Sequence, residues 1–238
     1  MKLSHLPVAA VLAGFLILSG CAYIGGSQQL YQLDSGTVGS QKRDSGIAVV
    51  LGPVEVANYL ERDTLVQRQA DNSISINSNA RWASSLPEDI NQVLMRQMAS
   101  RLKTNRLVLS SDQAGFEPDV QLAVNINRLD SGPQKPAVLE AQWRLLDKNG
   151  KLRDSEVVKL EEKHDGTTSD QVRAQSVLLQ RFAADLSKAV QTNNARIAAA
   201  AKQADDARKR EASIAKPPSS RQIPVVEPVR NRGEILRF

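Results

Sequence analysis

The chain has 238 residues, 31 of them Lys or Arg and 26 Asp or Glu, for a formal charge of +5, with 41% hydrophobic residues and one cysteine. That length suits one domain of ordinary size plus an appendage, and the lone thiol excludes an intramolecular disulfide, so stability must come from a core. Residues 196–238 hold ten basic and five acidic residues and so carry the whole excess charge; the remainder is close to neutral, which argues against a nucleic-acid partner.

The N-terminus opens with Lys2, an apolar stretch from Leu6 to Leu18, and small residues just before Cys21. This is the layout of a cleaved export signal. The apolar run is short for a hydrocarbon core of ~30 Å, and Pro7 and Gly14 weaken it as a permanent helix. The tetrapeptide Leu18-Ser19-Gly20-Cys21 resembles the lipobox of bacterial lipoproteins, in which the cysteine takes a diacylglycerol, cleavage follows and the new amine is acylated. On that resemblance residues 1–20 are removed, Cys21 is the lipidation site, and acyl chains hold the protein at a membrane. Ala22 follows the cysteine; in enterobacterial-type lipoproteins Asp there would imply retention in the inner membrane, so the expected location is the outer membrane, facing the periplasm.

Residues 21–46, rich in Gly, Ser and Gln, read as a lipidated tether with an apolar patch at Tyr31-Gln32-Leu33 that could form a first short strand. From Ile47 the run IAVVLGPVEV has the character of a strand buried on both faces, interrupted at Gly52-Pro53 by a bulge or by the end of the buried part. Two short strands are expected around Leu65–Gln69 and Ser73–Asn77, with Asp71-Asn72 as their turn. Ser85, Pro87 and Glu88 form a helix start of the capping-box kind. Ile90, Leu94, Met98 and Leu102 then line one face, with Asp89, Gln92, Arg96 and Lys103 opposite.

Leu107–Leu109 reads as a short strand. Val120, Leu122, Val124 and Ile126 alternate with polar residues, as do Leu139, Ala141, Trp143 and Leu145; Asp147-Lys148-Asn149-Gly150 supplies a hairpin turn, and Leu152–Leu160 returns. Ser169 is expected to cap a second helix with Leu178, Phe182, Leu186 and Val190 in its stripe. Beyond Thr192 an Ala-rich, charged stretch continues the helix without a core beneath it. Pro217-Pro218 stops it, leaving a flexible basic tail. The expected fold is α/β (α+β): a mixed, largely antiparallel sheet packed by two main amphipathic helices. Its parts are a signal at 1–20, a tether at 21–46, the domain at 47–194, and a helical extension with disordered tail at 195–238.

The string GPVEVANYLERDTLVQR, the Asn79-x-Arg81-Trp82-Ala83 segment with Leu86 before the first helix, and the strand Ala141-Gln142-Trp143-Arg144 resemble the ABC-type transport auxiliary lipoproteins of the PqiC (YmbA) type. The likeness runs from about Tyr31 to Ala189. It implies a non-catalytic adaptor at the outer membrane that partners the mammalian-cell-entry (MCE) tunnel protein of an intermembrane lipid transport system. Read without the resemblance, the residues describe an exported, lipid-anchored domain that binds rather than reacts. A periplasmic lipid carrier, a structural envelope lipoprotein or an envelope hydrolase are the alternatives, and a homo-oligomer is compatible with each.

For catalysis, His164 is the one histidine after residue 20, beside Lys163 and Asp165, without a second His, a free thiol or a Gly-x-Ser-x-Gly turn at a useful spacing. No metal, cofactor or catalytic residue is expected. The candidate partner-binding residues are Tyr59, Arg62, Arg81 and Trp82, because docking energy concentrates in aromatic and arginine side chains. The competing reading puts Trp82 beneath the first helix as a core anchor.

Overall fold

The structure is a computed structural model that describes residues 28–37, 39 and 46–214. Cys21, the signal, most of the tether and the basic tail lie outside the described residues. The chain divides into two units, residues 1–193 and 194–238.

In the first unit eight strands form one mixed sheet: β1 (Gln29–Tyr31), β2 (Val49–Val56), β3 (Thr64–Arg68), β4 (Ile74–Trp82), β5 (Leu107–Leu109), β6 (Val120–Gly132), β7 (Lys135–Asp147) and β8 (Leu152–Glu162). Neighbours run β1-β4-β3-β6-β2-β5, and β7 joins the other edge of β6 and carries β8. The β6-β7-β8 meander is antiparallel, as is β3-β4, whereas β2 lies parallel between β6 and β5. The buried run of β2 thus sits one strand from an edge. Its register shifts between Leu51 and Val54, the bulge signalled by Gly52-Pro53.

Helix α1 (Leu86–Leu102) starts where the sequence places it: Ser85 is extended and its hydroxyl accepts from the Glu88 N–H. Ile90, Leu94, Met98 and Leu102 are buried against the sheet. One member of the presumed outer face is not outside. Asp89 is 2% exposed and accepts from the Leu33 N–H, the Gln32 amide and the Ser84 hydroxyl. Helical spacing alone assigned it to solvent; a distant segment of chain covers it.

That segment belongs to the stretch read as tether. Leu33 enters the core, the Asp34 N–H donates to Ser176 and the Gln180 amide to the Asp34 carbonyl, and Gln97 donates to the Ser35 carbonyl. Residues 33–35 therefore lace α1 to α2, the helix Thr168–Ile214. The cap of α2 is Thr167, whose hydroxyl accepts from the Asp170 N–H, and not Ser169. Leu178, Phe182, Leu186 and Val190 of α2 are fully buried.

Buried amides fix the placement of the helix start. Gln171 accepts from Gln67 and from the Ser131 hydroxyl, and Gln175 donates to Ser131. Close approach of β3 to β6 needs a glycine: a Cβ on Gly132 would lie 1.8 Å from the Arg68 carbonyl oxygen.

The second unit contains the end of α2. Residues 195–213 are helical and exposed throughout, consistent with alanine-driven helicity without a hydrophobic stripe to bury. Among the described residues no helix is long and apolar enough to cross a membrane.

Candidate partner-binding surface

The four candidates lie on the segment between β2 and β3 and at the end of β4, with different roles. Residues Asn58–Leu60 form one 3-10 turn after β2, with Leu60 buried. Arg62 is exposed on the bend that follows. Arg81 and Trp82 fall between the strand expected at Ser73–Asn77 and the helix start at Ser85, but both lie in β4, paired with Leu30 and Tyr31 of β1. Arg81 also stands opposite Thr64 of β3, and the Trp82 N–H donates to the Asp63 carbonyl at 2.8 Å.

A register shift decides which side chains point out. Arg81 pairs with Thr64 and Asn77 with Leu65, so four steps on β4 match one on β3, and the alternation of β4 switches faces across the extra residues. Ala80 and Trp82 point into the core while Ile74 and Ile76 are exposed. Trp82, 6% exposed, is a core side chain; what it offers a partner is the position of its neighbours.

Tyr59 is half-buried and its hydroxyl donates to Asp130 at 2.9 Å. Asp130, 1% exposed in its side chain, also accepts from Arg68 at 2.6 Å and from Arg128 at 2.9 Å. Burial works against ionisation of Asp130, but the bonds from Arg68, Arg128 and Tyr59 outweigh it and hold the carboxyl below its ordinary pKa. Burial first, and then the Asp130 charge, pushes the Tyr59 phenol above its ordinary range, so it stays a donor. This network clamps the turn that leads into Arg62, and it is a feature the sequence reading missed, because Arg68 and Asp130 lie 62 residues apart.

What remains exposed is Arg62, Arg81 and Leu30, the last at 67%. Neither arginine makes an ion pair or side-chain hydrogen bond among the described residues. Arg81, paired with the exposed Leu30 of β1, and Arg62, exposed on the bend before β3, are suited to docking an acidic or mixed surface.

His164 lies in the loop between β8 and α2. Its Nδ1 accepts from the Gly166 N–H, which makes it a loop-bracing residue. Among the described residues, no three His, Cys, Asp or Glu side chains form a group that could hold a metal ion.

No curated protein matches the sequence. Among solved structures, the fold is similar to that of a protein described only as uncharacterized, with 19% identity and a TM-score of 0.57 over 69% of this chain and 99% of that one. It is likewise similar to a DUF330 protein from Xanthomonas campestris, with 14% identity and a TM-score of 0.58 over 71% of this chain and 98% of that one. The family profile for the ABC-type transport auxiliary lipoprotein component matches residues 31–187, a span that starts in β1 and ends on the buried face of α2. The chain therefore belongs to the ABC-type transport auxiliary lipoprotein family.

Proposed function

We propose that the protein is an outer-membrane lipoprotein, acylated at Cys21, that acts as a non-catalytic docking subunit for the MCE tunnel protein of an intermembrane lipid transport system. The family supplies the transport role, and the lipobox at the end of an export signal supplies the anchor, since two or three acyl chains hold a protein at a membrane durably. Ala22 after the cysteine favours the outer membrane. The single observation that carries the docking reading is that Arg62 and Arg81 are exposed, while Tyr59 and Trp82 are committed to the fold.

Changing Arg62 and Arg81 together to Ala tests it. Both are exposed, so the thermal midpoint should stay within about 2 °C of wild type, while co-purification of the MCE protein from detergent-solubilised membranes should fall several-fold. Unaltered co-purification with unaltered stability removes these residues from the docking surface. A large drop in midpoint would mean that they support the fold instead.

A further inference from the structure

We infer that the outer face of the β1-β4-β3 part of the sheet rests on the lipid bilayer that anchors the chain, with Leu30, Ile74 and Ile76 entering the boundary between headgroups and acyl chains. Residues opposite one another in paired strands show their side chains on the same face. Arg81 pairs with Leu30 of β1 and with Thr64 of β3, Ile76 with Val66, and Ile74 with Arg68. Thr64, Val66 and Arg68 alternate along β3 and share one face; Leu30, Arg81, Ile76 and Ile74 therefore lie on it too. The register shift in β4 draws this strip together, since Arg81 and Ile76 stand opposite β3 residues only two apart, about 7 Å. The reverse face is covered: Gln67 donates to Gln171 of α2, and Asn77 donates to Thr168.

Ile74 is 43% exposed, Ile76 54% and Leu30 67%, so three of the six exposed large apolar side chains among the described residues share this strip. Clustered exposure of this kind marks a contact with something apolar. Three aliphatic groups cover far less than the ~800 Å² a side that a stable protein interface buries. A domain already tethered to a membrane needs only a small apolar contact to settle against it, because the tether makes that contact intramolecular.

Chain length selects the bilayer as the occupant. Leu30 is nine residues after Cys21, a reach of at most about 30 Å. Ile74 is one strand across and four β3 positions along from Leu30, about 14 Å by strand spacing. The contact thus rests on the reading of Cys21 as acylated, and not on the MCE partner. No acidic residue stands at the paired positions of the strip, and Arg68 is bonded to Asp130. Glu61 and Asp63 before β3 and Asp71 in the turn after it offset Arg62 and Arg81, so the contact is apolar and does not need anionic lipid. Arg81, on a long stem among aliphatic groups, then lies level with the headgroup phosphates, where a protein docked at the membrane also reaches it.

Site-directed fluorescence on the full-length lipidated chain tests the contact. With the Cys21 thiol taken by its diacylglycerol, Ile74→Cys and Ile76→Cys each offer one thiol for an environment-sensitive fluorophore, and Gln92→Cys, at an exposed position of α1, is the control. In phosphatidylcholine vesicles the probes at positions 74 and 76 should emit at shorter wavelength than the one at position 92 and be quenched by doxyl-labelled lipid. Adding phosphatidylglycerol should change neither result. Flotation of the wild-type chain with the same vesicles is measured alongside. A chain that does not float would overturn both the acylation of Cys21 and the contact. A chain that floats while the probes at 74 and 76 stay as open to water as the one at 92 would overturn the contact alone. Shielding from water without quenching by the labelled lipid would mean that protein, such as a second copy, covers the strip, and would also overturn it.

Discussion

Replacing Asp130 by Asn changes almost nothing in shape and removes one buried charge. The carboxylate takes hydrogen bonds from Arg68 through Nε and NH2, from Arg128 Nε and from the Tyr59 hydroxyl, at 2.6 to 3.1 Å. Breaking a buried ion pair by removing one partner costs about 3–5 kcal/mol. Here the abandoned guanidinium groups are 17% and 23% exposed, so water relieves part of that, and the lower end, about 3 kcal/mol, applies. At roughly 2–4 °C per kcal/mol for a domain of this size, the midpoint should fall by about 6–12 °C at pH 7.

The pH dependence separates charge from packing. Asp130 has a lower pKa in the folded chain than in the unfolded one, so the folded state binds fewer protons. Its contribution is complete above the unfolded carboxylate value of about 3.9 and is lost as pH falls below that toward the depressed folded value. Urea titrations of wild type and Asp130→Asn at pH 7 and at pH 3 should therefore show a gap that narrows in acid. A loss below about 1 kcal/mol at pH 7, or one as large at pH 3 as at pH 7, would refute the reasoning.

Gly132→Ala should destabilise by about 3 kcal/mol or more, read from the urea midpoint, because its Cβ would fall on the Arg68 carbonyl and force β3 from β6. Ser85→Ala should cost about 0.5–1 kcal/mol, the low part of the N-cap range, since the bond to the Glu88 N–H is long at 3.4 Å. Cys21→Ser should abolish incorporation of radioactive palmitate while the domain stays folded; label persisting in the variant would end the lipobox reading.

The parts legible in the sequence are those whose information is local. A capping hydroxyl three residues before its N–H, an apolar residue at every fourth position of α2 from Leu178 to Val190 and the alternation of β6 and β7 each declare themselves within one element. The parts that escaped depend on residues far apart. Asp89 looked like a solvent-facing helix position because nothing near it in the chain says that Gln32 and Leu33 will close over it. The expected strand ends at Asn77, short of Arg81 and Trp82, because a register shift breaks the alternation of β4, turning Ile76 outward and Trp82 inward. The docking candidates were chosen by residue type, while the division into exposed arginines and buried or half-buried aromatics needed the structure.

The most direct test of the account is affinity purification of the tagged wild-type lipoprotein from gently solubilised membranes, after separation of inner from outer membrane. Recovery is expected in the outer-membrane fraction together with an MCE-domain protein, in amounts that Arg62→Ala with Arg81→Ala reduces. Recovery from the inner membrane alone, or purification with no MCE-domain protein under conditions that preserve the transport complex, would contradict it.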